Sequence, residues 1–337
     1  MRVLLINHEY TISGASLMML RLAIHLRDSG HQCSVMAMHS HDGPLRQEYE
    51  SRSMRHLVTT NFTEYDVVIC NTIFSAPLVS PAAKYATTLW WIQEGENGID
   101  YILSHPAEVS AFRDSAAIVF QTEFQRDSIY RSFVFMQNPA KVFIIPYGIQ
   151  VDTAGPIAAK TRPLRIVSVG TIDQRKRHGD LILAVRALKR DDVECVIIGK
   201  YFHLDEAART IATAAPETFR MLGETSNAET LSWLRSADVF CLPSLVESQP
   251  ISILEAALLS RPLVLTDLPA YKGIWRHGQN CLLAPVADVD WLAHSIAILL
   301  SSDGLRERLG RAACATARRF SEAAFFARFD AVFDTIM

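Results

Sequence analysis

Two glutamates, Glu247 and Glu255, lie in the stretch DVFCLPSLVESQPISILEAALLSRPLVLTDLP at 238–269. An ionised carboxylate only accepts hydrogen bonds, so one of the pair suits a ribose diol and the other a sugar hydroxyl. The apolar run before them ends at Pro243, a polar turn covers Ser244 to Gln249, and Pro250 stands where a helix is expected to begin. Proline suits a first helical turn, because the N–H it lacks would have no partner there anyway. The other N–H groups of such a start, with the helix dipole, make an anion site suited to a diphosphate. Gln249, Ile251 and Ser252 can supply backbone donors and Pro250 cannot, and Ser248 belongs to the same turn. Two glutamates eight positions apart carry little by themselves. Their weight comes from the order strand, acidic loop, helix-opening proline, second strand.

Such a site needs rigid strands beneath it, and the chain supplies them. A β-α-β unit opens the sequence: Val3–Ile6, a helix carrying Leu17, Leu20, Ala23, Ile24 and Leu26 up to Gly30, then Cys33–Met38. Strands follow at Asp66–Cys70, Thr87–Ile92, Ala116–Gln121 and Val142–Pro146, with a helix at Glu123–Tyr130. A segment without periodicity, containing Gly155, Pro156 and Pro163, reads as a linker over 149–164. Alternation then resumes: strands at Arg165–Val169, Glu194–Ile198, Val239–Leu242 and Pro262–Thr266, helices at Asp180–Lys189, Asn227–Ser236, Ile251–Leu259 and Asp290–Ser301. Short apolar strands separated by helices indicate mainly parallel sheets covered on both faces. The expected fold class is α/β: two Rossmann-like doubly wound domains, 1–148 and 165–318, facing a cleft, with a C-terminal helix in 319–337 expected to pack back on the first domain.

The 337 residues carry a formal charge of −3, so no basic field points to nucleic acid. Six cysteines (33, 70, 195, 241, 281 and 314) are scattered singly, several in apolar runs, and read as buried reduced thiols of a cytoplasmic protein. MRVLLIN is interrupted too soon by His8 and Glu9 to act as a signal peptide. No run approaches the roughly 20 apolar residues that span a bilayer. No G-x-G-x-x-G follows any strand, which disfavours a dehydrogenase.

Taken together, the 238–269 stretch resembles the retaining family 4 glycosyltransferases, whose donor domain carries a Glu-x7-Glu signature in this setting. Val169-Gly170-Thr171 followed by Arg175-Lys176 resembles the strand-turn that brings a cation to the donor diphosphate. Ile145–Ile149, Gly278–Pro285 (GQNCLLAP) and Arg319-Phe320-Ser321 resemble further segments in the family's order, and Ser13-Gly14-Ala15 sits where its Gly-rich first loop stands. The resemblance implies a GT-B fold and transfer of a sugar, with retention, from a nucleoside-diphosphate sugar as co-substrate. The acceptor would be a glycan, a lipid-linked molecule or a small molecule. Neither cofactor nor metal is implied, and the eleven histidines form no metal constellation.

Residue by residue, Lys176 is expected to neutralise the departing phosphate and Arg175 to add a fork of donors. Glu255 falls on the ribose and Glu247 on the sugar. Ser13, Gly14 and Ala15 form the acceptor or phosphate loop. The main departure is at Trp90-Trp91-Ile92-Gln93-Glu94: where family members commonly place a histidine, this chain has Gln93, which hydrogen-bonds a hydroxyl but carries no proton. The alternative reading is therefore a catalytically impaired protein that binds a sugar nucleotide or partners a glycosyltransferase. Glu94 is a further residue expected to enter the cleft, and Trp90 or Trp91 could stack on a sugar. Arg126, Arg131 and Lys141 with Phe133, Phe135 and Met136 read most simply as core plus solvated arginines. Peripheral contact with the inner face of a membrane is their other reading.

Overall fold

The computed structural model describes residues 1–39, 41–135 and 141–337. Its chain divides into two compact units, Met1–Gly148 with Glu322–Met337, and Ile149–Ser321.

Seven parallel strands form the sheet of the first unit: β1 (Arg2–Asn7), β2 (Gln32–Ala37), β3 (Arg55–Leu57), β4 (Val67–Asn71), β5 (Thr87–Trp91), β6 (Ala117–Phe120) and β7 (Val142–Ile144). Their order is β3-β2-β1-β4-β5-β6-β7. Central strands such as β4 are buried along their whole length, which is why they are continuous apolar runs and show no alternation. Successive side chains of a strand leave opposite faces, and β5 uses this for its two tryptophans. Trp90 packs on Phe112 at 4.8 Å. Trp91 meets Phe325 and Phe329, at 5.7 and 4.8 Å, from the closing helix Glu322–Ile336. Both rings are completely buried, so neither is available to stack on a sugar.

The helix expected at Glu123–Tyr130 takes a π turn over Gln125–Ile129, closed by Tyr130 N–H on the Gln125 carbonyl at 2.8 Å. Across that turn the Gln125 amide and the Tyr130 hydroxyl both reach the Glu94 carbonyl, at 3.0 and 3.2 Å. Of the basic-aromatic group that follows, Phe133 stacks on Phe112 in the core and Phe135 is exposed beside Arg131. Met136 lies outside the described residues.

In the second unit six parallel strands follow the order β10-β9-β8-β11-β12-β13. They are β8 (Leu164–Val169), β9 (Val193–Ile198), β10 (Phe219–Gly223), β11 (Val239–Leu242), β12 (Leu263–Thr266) and β13 (Leu282–Ala284). Ile166, Leu181, Ile197, Val264 and Ile296 belong to the core between this sheet and its helices. Each sheet reverses its winding once, between β1 and β4 and between β8 and β11. At such switch points the loops beyond the carboxyl ends of the strands splay apart and leave a crevice.

Residues 149–163 are no free linker. Arg165, fully buried at the start of β8, donates to Glu194 Oε1 at 2.9 Å, to the Ala158 carbonyl at 2.9 Å and to the Ala159 carbonyl. Glu194 in turn accepts the Thr161 N–H at 3.0 Å. Desolvated charges require this saturation by partners, and here it staples the segment to the second unit. At the other end Arg319, Phe320 and Ser321 stay with the same unit, where Ile149 N–H reaches the Phe320 carbonyl at 3.0 Å. The second unit thus runs from 149 to 321, wider than the expected 165–318.

Candidate active site

In the second unit the residues singled out from the sequence converge at the carboxyl ends of β8 and β11. Helix Ile251–Leu258 begins after Pro250, which occupies the cap position in extended conformation and makes no side-chain cap bond. The proline therefore sits one residue earlier than a first-turn position, and its side chain supplies no cap to the first-turn N–H groups. Ser252 Oγ donates to the Val169 carbonyl at 3.0 Å, tying this helix start to the end of β8, where Gly170 follows. A Cβ on Gly170 would approach Lys176 Cε at 3.2 Å. One strand over, a Cβ on Gly199 would lie 2.0 Å from the Gly170 carbonyl oxygen, and Gly199 has a φ of +151°. Only glycine fits there, and it lets the β8 turn lie against β9.

Lys176 is buried and pairs with Glu247 Oε1. Arg175 reaches the same oxygen at 3.4 Å and Ser244 Oγ donates to it at 2.7 Å. Asp173 orders the turn by accepting the Lys176 N–H at 2.9 Å and the Thr171 hydroxyl at 2.7 Å. Burial pulls the Lys176 ammonium below its ordinary range, and the facing Glu247 opposes that pull. His178, behind the turn, is pushed down to about 3 by burial and then by the Lys176 charge, so it is neutral at working pH. Glu255 is buried on the next turn of the helix, where Asn227 Nδ2 donates to its Oε1 at 3.1 Å. The arrangement sets two cations, two carboxylates and a helix start around one strand end. That set can hold a diphosphate on the cations and N–H groups and a polyol on the carboxylates.

Several members were not found from the sequence. Asn227 opens a helix whose register was expected, but its contact with Glu255 joins residues far apart in the chain. Tyr271 is buried, feels the charges of Glu247 and Arg175, and its hydroxyl has no hydrogen-bond partner among the described residues. Burial raises its pKa well above the ordinary phenol value. Together with Ser248, Gln249, Pro250, Trp275 and Phe320 it lines a small cavity beside the loop that precedes helix Ile251–Leu258.

The first-unit candidates form a second cluster. Gln93 is buried, its amide donating to Asn71 Oδ1 and its carbonyl accepting the Tyr147 hydroxyl. Asn71 also donates to Asn7 Oδ1 at 2.9 Å and to the Ala15 carbonyl at 3.2 Å, which links Gln93 to the Ser13–Ala15 loop. Ser13 itself caps helix Gly14–Asp28, accepting the Ser16 N–H at 3.2 Å, and Gly14 is exposed. Glu94 turns inward instead of towards solvent. Its Oε2 accepts the N–H groups of Ile73 and Gln93 at 2.7 and 3.1 Å, and burial raises its carboxyl to about 7. Among the described residues no group of three or more His, Cys, Asp and Glu could hold a metal ion. No described helix is long and apolar enough to cross a membrane. The six cysteines are buried and unpaired.

Comparison with known proteins agrees with this geometry. The family model "Glycosyl transferases group 1" matches residues 154–315 and "Glycosyl-transferase family 4" matches residues 1–105. The chain therefore belongs to the group 1, family 4 glycosyltransferases. A phosphatidyl-myo-inositol mannosyltransferase of Mycobacterium leprae is 32% identical over 204 residues, 57% of this chain and 53% of that protein. An amylovoran biosynthesis glycosyltransferase of Erwinia amylovora is 32% identical over 149 residues, 41% of this chain and 36% of its own. The match thus spans about half the length of the first of these relatives and less of the second. Among solved structures, Anabaena HepE in complex with UDP and glucose superposes with a TM-score of 0.82 over 99% of this chain and 100% of its own, at 14% identity. The sucrose-phosphate synthase of Thermosynechococcus elongatus gives 0.78 over 99% and 98%, at 15% identity. These likenesses establish the GT-B fold of two parallel-sheet units.

Proposed function

We propose that the second unit binds a nucleoside-diphosphate sugar and that the chain transfers the sugar, with retention, to a glycan, lipid-linked or small-molecule acceptor. The observation that carries this reading is the convergence of Lys176, Arg175, Glu247 and Glu255 on the start of helix Ile251–Leu258. Diphosphate oxygens replace Glu247 as partners of the two cations, and the ribose diol meets Glu255. As the sugar–phosphate bond breaks, negative charge grows on the leaving oxygen, where Lys176 is worth most because the site is desolvated. The acceptor oxygen bonds to the anomeric carbon, and its proton passes to the departing diphosphate. Because two side-chain cations and a helix start offset that charge, the reaction is proposed to run without a metal or other cofactor. The UDP and glucose held by the Anabaena neighbour and the mannosyltransferase relative support a sugar nucleotide as donor. The protein is placed in the cytoplasm, with peripheral contact to the inner membrane face where its acceptor is lipid-linked.

One observation favours a second reading, a sugar-nucleotide-binding partner without transfer: Gln93 is engaged at both ends of its amide and carries no proton. The test is turnover of UDP-, GDP-, ADP- and dTDP-sugars, as transfer or slow donor hydrolysis, by the wild type and by Glu255→Ala and Lys176→Gln. At least one donor should be consumed, and each variant should lower kcat/KM by about 100-fold or more. Nucleotide binding without consumption of any donor favours the second reading, and full activity of both variants rejects the site.

A further inference from the structure

Helix Asp303–Ala317 of the second unit turns one face to the core and the other to water. Leu309, Ala313, Cys314 and Ala317 are buried. On the opposite face Arg308, Arg311 and Arg318 are exposed, at helical spacing. Arg318 keeps that register, with a φ of −58° and its N–H on the Cys314 carbonyl at 3.0 Å, and Arg319 follows it, also exposed. The turn before β13 is tied to the same helix and carries one more exposed cation, Arg276. Arg308 donates to the Gly278 carbonyl at 3.1 Å, and Asn280 donates to the Thr316 hydroxyl at 2.9 Å while accepting the Arg276 N–H at 2.7 Å.

Acids on the helix offset little of this charge. Asp303 pairs with Arg306 at 2.5 Å and Glu307 with Arg311 at 3.2 Å. Among the described residues no ion pair takes Arg276, Arg308, Arg318 or Arg319. The whole chain carries −3, so a face of unpaired arginines is a local departure from its balance. From Arg308 to Arg318 the helix rises about 15 Å, and among the described residues no large apolar side chain is exposed along it. A protein partner would call for an apolar centre to the interface, which this face lacks. A layer of lipid headgroups calls only for charge spread over a plane, and the guanidinium fork fits its phosphates.

We propose that Arg276, Arg308, Arg311, Arg318 and Arg319 form a face of the second unit that docks on the phosphate layer of an anionic bilayer. This rests on the proposed contact with the inner membrane face and gives that contact a surface, in place of Arg126, Arg131 and Lys141 of the first unit. The attachment is electrostatic: the guanidinium groups lie at headgroup level and nothing enters the hydrocarbon. Each arginine contributes little alone, the contributions accumulate over the face, and salt reverses them.

Co-sedimentation of the full chain with vesicles tests the face, using phosphatidylcholine alone and phosphatidylcholine with about one-third phosphatidylglycerol. The wild type should prefer the mixed vesicles and lose that preference as salt rises from about 0.05 M to about 0.5 M. Arg308→Gln/Arg318→Gln/Arg319→Gln should weaken mixed-vesicle binding about 100-fold, close to fivefold for each arginine. Lysine at the same three positions should keep binding within about threefold of the wild type. Arg126→Gln/Arg131→Gln/Lys141→Gln should bind as the wild type does, and urea midpoints and nucleotide affinity should be the same in all variants. Undiminished binding by the glutamine variant of the helix, loss confined to the first-unit variant, or equal affinity for duplex DNA at the same salt overturns the face. Binding to neither kind of vesicle sinks the membrane reading with it, whereas anionic-vesicle binding that the helix variant retains sinks the face alone.

Discussion

Glu94 places its carboxyl inside the first unit, held by the Ile73 and Gln93 N–H groups. Burial raises it from 4.5 to about 7. Between those two values the unfolded chain has lost its proton while the folded chain keeps it, so the contribution of Glu94 to stability falls as pH rises from about 4.5 to about 7 and is level above. Glu94→Gln keeps an oxygen for both N–H groups and cannot ionise. Denaturant titrations of both proteins should show the wild type losing on the order of 2 kcal/mol relative to the variant between about pH 5 and pH 7.5. A difference independent of pH would contradict a buried, unpaired carboxyl. Gln93 and the Glu94 beside it were marked as site candidates by the resemblance, because the family commonly places a histidine at the end of this strand. Their partners Asn71 and Tyr147 were not legible, since the hydrogen bonds cross between strands whose adjacency only the sheet order reveals.

The Arg165–Glu194 pair holds whole segments in place. Arg165 lies on β8, Glu194 on β9, and both hold the segment Ala158–Thr161 while the Trp233 ring covers the guanidinium at 4.6 Å. Removing one charge strands the other in a desolvated site, at a cost of about 3–5 kcal/mol, whereas replacing both with apolar groups removes most of that penalty. Arg165→Met should therefore be far less stable in urea than wild type, and Arg165→Met/Glu194→Leu should recover most of the loss. Equal destabilisation of the single and double variants would assign the cost to lost packing of the segment. Strand positions were legible to within about a residue where runs such as VFCL and VVIC carry the signal. The edge strand β3, three residues long, and β10, only half-buried after its first residue, gave too short or too polar a run, and the three-residue β13 was marked only through the Gly278–Pro285 resemblance. Residues 149–163 looked like a linker because turn residues and absent periodicity do not reveal a buried arginine reaching back from the next strand.

At the scale of the molecule, both units repeat one solution: a parallel sheet whose order reverses once, with the chemically capable residues at the carboxyl ends. That much was legible, because the β-α alternation appears twice and the Glu247–Glu255 context sits at the end of a buried strand. The return of the closing helix to the first unit was expected too; its partners there, Trp91 against Phe325 and Phe329, were not legible, because they join the last residues of the chain to β5. The central claim is that Lys176, Glu247, Glu255 and the start of helix Ile251–Leu258 form a nucleoside-diphosphate site. It is tested most directly by thermal shift of the full chain with UDP, GDP, ADP and dTDP, alongside Glu255→Ala. A ligand at about 100 times its Kd stabilises the folded state by about 2.7 kcal/mol, so at least one nucleotide should raise the transition of the second unit by roughly 5–10 °C, and Glu255→Ala should lose most of that rise. No shift with any of the four, or an undiminished shift in the variant, would contradict the site.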